Sequence, residues 1–274
     1  METKNEKEMV GAMKRVAVVT GGSSGIGRCT ADLLAQNGYL VYELSRRGKS
    51  RPGVEHLTAD ISKKEEVEAA FSQIFTREGR LDALINNAGF GISGAVEFTD
   101  PADARRLFDV NFFGALHCAQ CAIPYLRQTG GGHIVNLSSV AGPLPIPFQS
   151  FYSCAKAAIN DLTLTLANEL RPFHIAVAAV MPGDAKTGFT AARKKNTDGE
   201  EFYGAAIQRA VQAMERDEQN GMPPIAIARK ILRILSKSSP KPLVVAGKKY
   251  QLFMCLAKFL PIRTVNFIIG KMYG

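Results

Sequence analysis

Short apolar runs alternate with segments of helical period along most of the chain, and this pattern predicts the elements. Val16 to Val19 is an apolar run rich in β-branched residues that ends in a Gly-rich turn, and Gly25 to Gln36 follows with Ile26, Leu33 and Leu34 at helical spacing. That order predicts strand, turn, helix. The cycle then repeats, with strands at Leu40 to Leu44 and Val54 to Ala59 and a helix at Glu65 to Phe75 carrying apolar Val67, Ala70, Phe71 and Ile74. Further strands are expected at Ala83 to Asn86, His133 to Leu137, Ala176 to Met181 and Leu243 to Val245, with helices over Asp103 to Gln128 and Tyr152 to Leu170. Strands separated by helical crossovers make a parallel sheet covered on both faces, which predicts an α/β, single-domain, doubly wound fold of the Rossmann kind.

After Met181 the alternation stops. Residues 184–224 form a polar stretch with a helix expected at Glu200 to Glu218. An insertion after a late strand falls at the carboxyl edge of the sheet, where ligands bind in such folds, so it is read as a substrate lid. A helix from Ile225 to Leu235 and the last strand complete residues 13–247. Residues 1–12 are polar, without an apolar core of the signal-peptide kind, and are read as a flexible extension, with Met13 a second possible start. Residues 248–274 are an apolar and basic C-terminal extension.

Composition sharpens this picture through charge. The 274 residues include 34 Lys and Arg against 25 Asp and Glu, for a net +9, and 46% are hydrophobic, which excludes a disordered chain. The last acidic residue is Glu218, and residues 221–274 hold ten basic residues and no acid, leaving the preceding 220 residues at −1. A neutral body with a basic tail does not read as a nucleic-acid groove. Five cysteines, an odd number, favour free thiols and a cytoplasmic location. No apolar run reaches the ~18 residues of a membrane span, so a soluble or at most peripheral protein is expected.

The candidate chemistry begins in the first turn, Thr20-Gly21-Gly22-Ser23-Ser24-Gly25-Ile26-Gly27. Glycines there let the backbone turn sharply and approach a pyrophosphate at a helix N-terminus. Tyr152 and Lys156 are i and i+4 and share a helix face. A phenol ordinarily titrates near ~10, and an adjacent ammonium favours the phenolate, so the lysine is expected to draw Tyr152 downward. Tyr152 then suits a general acid/base that protonates a nascent alkoxide. Ser139 ends the run His133-Ile-Val-Asn-Leu-Ser138-Ser139, where its hydroxyl can bond a substrate carbonyl; Ser138 is read as a strand-end hydroxyl tied to backbone. Cys118-Ala-Gln-Cys121 lies in an apolar helix without a second pair and is read as core, and the four histidines have no ligand spacing, so no metal is expected. Cys154, inside the Tyr152 to Lys156 turn, marks a possible sensitivity to thiol reagents.

The T-G-x-x-x-G-x-G turn, Asn86-Asn87-Ala88-Gly89 after the fourth strand, Ser139 placed 13 residues before Tyr152, Tyr152-Ser-Cys-Ala-Lys156 and Pro182-Gly183 together resemble the short-chain dehydrogenase/reductase family over about Arg15 to Thr187. The resemblance implies a nicotinamide cofactor bound by Gly21, Ser23, Ser24, Gly25, Ile26 and Gly27, with Asp60 and Ile61 at the adenine, Asn87, Ala88 and Gly89 beneath the adenine ribose, and Pro182, Gly183 and Thr187 near the carboxamide. It implies that Asn111 joins Ser139, Tyr152 and Lys156 as a catalytic residue by holding a water; a helix-kink role is the other reading of that asparagine. At the end of the second strand Ser45 stands where an aspartate is usual and Arg46 and Arg47 follow, so NADP(H) is expected. A register shifted by two residues would instead make Glu43 the ribose acceptor and favour NAD(H).

The tail resembles that of the hydroxysteroid and retinol dehydrogenase branch. Its apolar residues are expected to pack on the same or a second subunit, with peripheral membrane contact next in order. The sequence therefore reads as an NADP(H)-dependent carbonyl reductase or alcohol dehydrogenase acting on an apolar ketone or secondary alcohol, such as a steroid or other lipid. A 3-oxoacyl thioester reductase and a non-catalytic NADP(H)-binding regulator are the alternatives, and no nucleic-acid partner is expected. The resemblance implies a homodimer or homotetramer assembled through the helices at Asn111 and Tyr152.

Overall fold

The computed structural model describes residues 14–273. The 1–12 extension and Met13 lie outside the described residues. Seven strands, β1 (Arg15–Thr20), β2 (Tyr39–Ser45), β3 (Val54–Thr58), β4 (Ala83–Asn86), β6 (Gly132–Leu137), β7 (Ile175–Pro182) and β9 (Leu243–Ala246), form one sheet in the order β3-β2-β1-β4-β6-β7-β9. Every pairing in it is parallel. The strand order reverses between β1 and β4, which places a ligand crevice at the carboxyl ends of those two strands. The doubly wound α/β expectation is met.

Period-two alternation explains why the strands are apolar throughout. Val16 and Val18 of β1 face one core with Leu84 and Ile134, against Phe71 and Ile74 of α2 (Lys64–Glu78) and Cys118 and Leu126 of α4 (Gly114–Gln128). Ala17 and Val19 face the other with Ile85, Val135 and Val180, against Leu34 of α1 (Gly25–Gln36) and Ile227 and Ile231 of α9 (Pro224–Leu235). Each strand residue thus meets a helix whichever way it points. Cys118 is part of the first core, as its apolar surroundings in the sequence indicate.

Three expected elements are modified. The helix expected over Asp103 to Gln128 is two helices, because α3 (Pro101–Phe108), capped by Asp100 through the Ala102 N–H at 2.8 Å, gives way to a π-turn at Asp109–Phe113 before α4. The helix expected at Glu200 to Glu218 is broken at Gly204, whose φ of 53° leaves the right-handed helical region, into α7 (Glu200–Tyr203) and α8 (Ala206–Gln219). Within the lid, α6 (Phe189–Ala192) leads into β8 (Lys194–Lys195), which pairs in parallel with β5 (Ile92–Ser93) as a small ribbon. Arg193, Lys194 and Lys195 in turn pair with Glu218, Asp103 and Glu215, so consecutive basic residues tie the two halves of the lid together through α8 and fasten the lid to α3.

After α5 (Ser150–Glu169), α9 and β9, the tail forms α10 (Lys248–Ala257) and α11 (Ile262–Tyr273). Their inner residues Phe253, Met254, Val265, Ile269 and Tyr273 pack with Leu144, Val211 and Met214 in a third apolar cluster. The inner face of the extension therefore packs on its own subunit beside the lid.

Candidate active site

A cavity of about 740 Å³ opens along the carboxyl edge of the sheet. Its wall includes Gly21, Ser23, Ser24, Gly25 and Ile26 of the first turn, Ser45, Arg46 and Arg47 after β2, Asp60 and Ile61 after β3, Asn87, Ala88 and Gly89 after β4, and Ser139, Tyr152, Lys156, Pro182, Gly183 and Thr187. All the cofactor residues anticipated from sequence meet there except Gly27.

The first turn depends on its glycines. Gly21 and Gly25 have φ of 65° and 53°, a region disfavoured for side-chain-bearing residues. Gly27 serves packing: a Cβ there would fall 2.3 Å from the Gly21 carbonyl oxygen, so the glycine lets α1 close on the turn but does not reach the cavity. No side chain caps α1 and its first turn holds no acid, so its N–H groups and positive dipole end remain available for an anion. The Thr20 hydroxyl accepts from Asn87 N–H at 2.9 Å and Ala88 N–H at 3.0 Å, tying β1 to the Asn-Ala-Gly segment at the switch point. A phosphate cradle with an uncapped helix end, continuous with a long crevice, fits the dinucleotide that the sequence leads one to expect.

At the β2 end, Arg46 and Arg47 are exposed and, among the described residues, enter no ion pair. Burial pushes the Asp60 carboxyl up, but hydrogen bonds from the Ser62 hydroxyl and N–H, with Arg46 nearby, outweigh it and hold the group below its usual range. Glu43 is fully buried below the loop, with Oε1 2.5 Å from His56 Nδ1 and 3.3 Å from the Ser45 hydroxyl, and is not part of the cavity wall. The shifted register that would make it a ribose acceptor is therefore not realised; β2 runs to Ser45, opposite Thr58.

At the other end, helix α5 presents Tyr152 and Lys156 to the same space, with Lys156 Nζ 5.6 Å from the Tyr152 ring centroid. Ser138 donates to the Lys156 carbonyl oxygen at 3.0 Å and is the backbone-tied member of its pair. The Ser139 hydroxyl accepts from Ala141 N–H at 3.1 Å and stands close enough to Tyr152 to draw its phenol downward. Lys156 is 5% exposed and donates to the Leu137 carbonyl oxygen at 2.6 Å; burial pushes its ammonium down to about 8. The phenol moves opposite to the expected direction. Burial pushes Tyr152 up to about 12, Ser139 pulls it down, Glu218 raises it and Arg193 lowers it. Spacing alone placed the ammonium beside the phenol, but the apolar cover, with the Phe189 ring 5.4 Å away, and the Glu218 carboxylate decide the sign.

Asn111 does not line the cavity. It is buried in the π-turn, where its side chain accepts from Phe90 N–H at 3.0 Å and donates to the Phe90 carbonyl oxygen at 2.9 Å. Its side chain is thus a clip on the segment after β4, at a helix irregularity.

Several wall residues were not anticipated: Phe90, Asp184, Phe189, Met214, Glu218, Tyr250 and Tyr273. Gly183 held the only clue to one of them, because a Cβ there would fall 2.0 Å from the Tyr250 ring, so this glycine admits the tail tyrosine to the wall. Burial, reinforced by Asp217 and Glu218 and opposed by Lys249, pushes the Asp184 carboxyl up to about 6.

A family model described as short chain dehydrogenase matches residues 15–198. The chain is 35% identical over 264 residues to a 3-ketodihydrosphingosine reductase of Bacteroides thetaiotaomicron, covering 95% of this chain and 98% of that protein. It is 33% identical over 249 residues to an 11-beta-hydroxysteroid dehydrogenase A of Sesamum indicum, covering 86% and 67% of the two chains. A solved short-chain dehydrogenase from Streptomyces avermitilis superposes with a TM-score of 0.81 at 28% identity, covering 90% of this chain and 92% of that one. With motifs, fold and relatives in agreement, the chain belongs to the short-chain dehydrogenase/reductase family and is an oxidoreductase of carbonyl or alcohol substrates that uses a nicotinamide cofactor.

Proposed function

We propose that the protein is an NADPH-dependent reductase of a long-chain, apolar ketone, with an amino ketone of the 3-ketodihydrosphingosine type as the favoured substrate. The observation that carries the reductase reading is the Ser139, Tyr152 and Lys156 cluster at the far end of the crevice from the glycine turn. A bound nicotinamide would supply the hydride for the carbonyl carbon and would become cationic on oxidation. The protein does the rest. Ser139 donates to the carbonyl oxygen, and Tyr152, held protonated by its surroundings, delivers its phenolic proton to the oxygen as negative charge develops there. The buried Lys156 ammonium stands behind the phenol and offsets the phenolate left by that transfer.

Arg46 and Arg47, both exposed at the cavity wall and outside any ion pair, support NADP(H), because paired guanidinium groups suit a 2′-phosphate. Phe90, Ile146, Phe189 and Met214 give an apolar wall, and the tail tyrosines extend it, which favours an extended lipid over a small polar ketone. On the same wall Asp184 and Glu218 supply carboxylates, which suit the ammonium of an amino ketone better than a steroid or an acyl thioester. Their location, together with the full-length match to a protein of that name, supports the substrate choice. Rates of NADPH oxidation with 3-ketodihydrosphingosine, a keto steroid and a 3-oxoacyl thioester test it. Fastest turnover is expected for the amino ketone, and no turnover of it beside ready reduction of another would refute the choice. Absence of turnover with every ketone would instead revive the non-catalytic regulator.

A further inference from the structure

Seven of the thirteen large apolar side chains that stand exposed among the described residues lie between Leu252 and Met272. Phe259 and Ile262, 83% and 81% exposed, stand at the corner between α10 and α11. From that corner Leu252 and Leu256 continue along the outer face of α10, one helical turn apart, and Phe267 lies on the outer face of α11. The inner faces are already occupied by the third apolar cluster, so the outer residues have no partner within the chain.

Charge decides what covers them. Lys248, Lys258, Arg263 and Lys271 are all exposed on this stretch, which contains no acidic residue. On α11, Arg263, Phe267 and Lys271 form one i, i+4, i+8 stripe, and Lys271 Nζ lies 5.9 Å from the Phe267 ring. A two-fold pairing of copies through this patch would set like cations against each other with no acid to offset them. An anionic lipid surface instead matches both features, taking the apolar corner below its headgroups while the lysines and arginine remain at headgroup level. Spanning is not available: among the described residues no helix is long and apolar enough to cross a membrane.

We propose that α10, α11 and the corner between them dock the protein on an anionic bilayer surface. The same two helices line the cavity through Tyr250 and Tyr273, so docking would place the substrate wall next to the lipid. The docking does not depend on the proposed substrate, and its test reads binding rather than turnover.

The test is flotation of the full-length protein with phosphatidylcholine vesicles with and without phosphatidylserine, at low and at physiological salt. Binding to the anionic vesicles, weakened by salt, is expected. Phe259→Ser/Ile262→Ser/Phe267→Ser should abolish it with the melting midpoint retained, because all three side chains are exposed. Lys258→Gln/Arg263→Gln/Lys271→Gln should lower partitioning about a hundredfold, since each basic residue at an anionic surface contributes about fivefold. No flotation at low salt, or equal flotation of both variants and the parent, overturns the proposal. A parent oligomer that the serine variant dissociates, without vesicle binding, would assign the patch to a second copy and likewise overturn it.

Discussion

Replacing Lys156 by methionine is expected to stabilise the protein at neutral pH while removing activity, and the stabilisation should reverse sign in alkali. The ammonium is 5% exposed, and burial lowers it from its ordinary 10.5 to about 8. At pH 7 both folded and unfolded chains carry the proton, so the folded state bears the whole desolvation cost, about 3 kcal/mol for a shift of this size. Methionine fills a similar volume without that cost. It also leaves the Leu137 carbonyl without the donor now 2.6 Å away, a loss of about 1–2 kcal/mol. The variant should therefore be about 1–2 kcal/mol more stable at pH 7. Between about 8 and 10.5 the unfolded lysine keeps its proton while the folded one has lost it, so parent stability rises with pH across that window and the variant lacks the rise. By pH 10 the parent should be the more stable. Urea melts of both proteins at pH 7 and pH 10 measure the two differences, and steady-state reduction with NADPH should show a fall of about 10²-fold or more. A variant less stable than the parent at pH 7, with the same dependence on pH, would refute the argument that this lysine is held against its own solvation.

Tyr152→Phe removes the proton donor and little volume, so ketone reduction should fall by about 10²- to 10⁴-fold while NADPH affinity, followed by nucleotide fluorescence, stays within a few-fold; more than a tenth of parental turnover would exclude Tyr152 as the acid. Arg46→Ala should raise KM for NADPH about 10- to 100-fold and leave that for NADH almost unchanged, as expected for lost charge-assisted hydrogen bonds to a phosphate, and a clear NADH preference in the parent would overturn the NADP(H) assignment. Asp184, pushed up to about 6, gains its proton and loses its charge as pH falls through that value. KM for a cationic amino ketone should accordingly rise below pH 6 in the parent and be high and flat in Asp184→Asn, whereas an unchanged KM in the variant would remove Asp184 from ammonium recognition.

The sheet was legible because its physics is local. Alternate residues of β1 face two different helix layers, so the strand must be apolar throughout, and a run such as Val16 to Val19 shows this without reference to the rest of the chain. The glycine turn and the Tyr152 to Lys156 spacing are local in the same sense, which is why nearly every cofactor residue fell on the cavity wall. The π-turn at Asp109–Phe113 carries no proline or internal glycine to announce it, and the two-residue pairing of β5 with Lys194 and Lys195 has too little alternation to read as a strand. Gly204 was visible, but its positive φ was not, and only that φ divides the lid helix.

Proximity and protonation were not equally legible in the site. Helical spacing places Lys156 beside Tyr152, yet the direction in which the phenol shifts depends on how much water the lid excludes and on which charges the lid brings. Phe189 and Glu218 act on it from 37 and 66 positions downstream, and Arg193 opposes Glu218 from the same lid. The phenol therefore remains a firm proton holder until a positive charge arrives next to it. That makes the lid part of the acid and not only a cover: an enzyme whose Arg193 to Glu218 pair is opened would change the affinity of Tyr152 for its proton as well as the access of substrate to it.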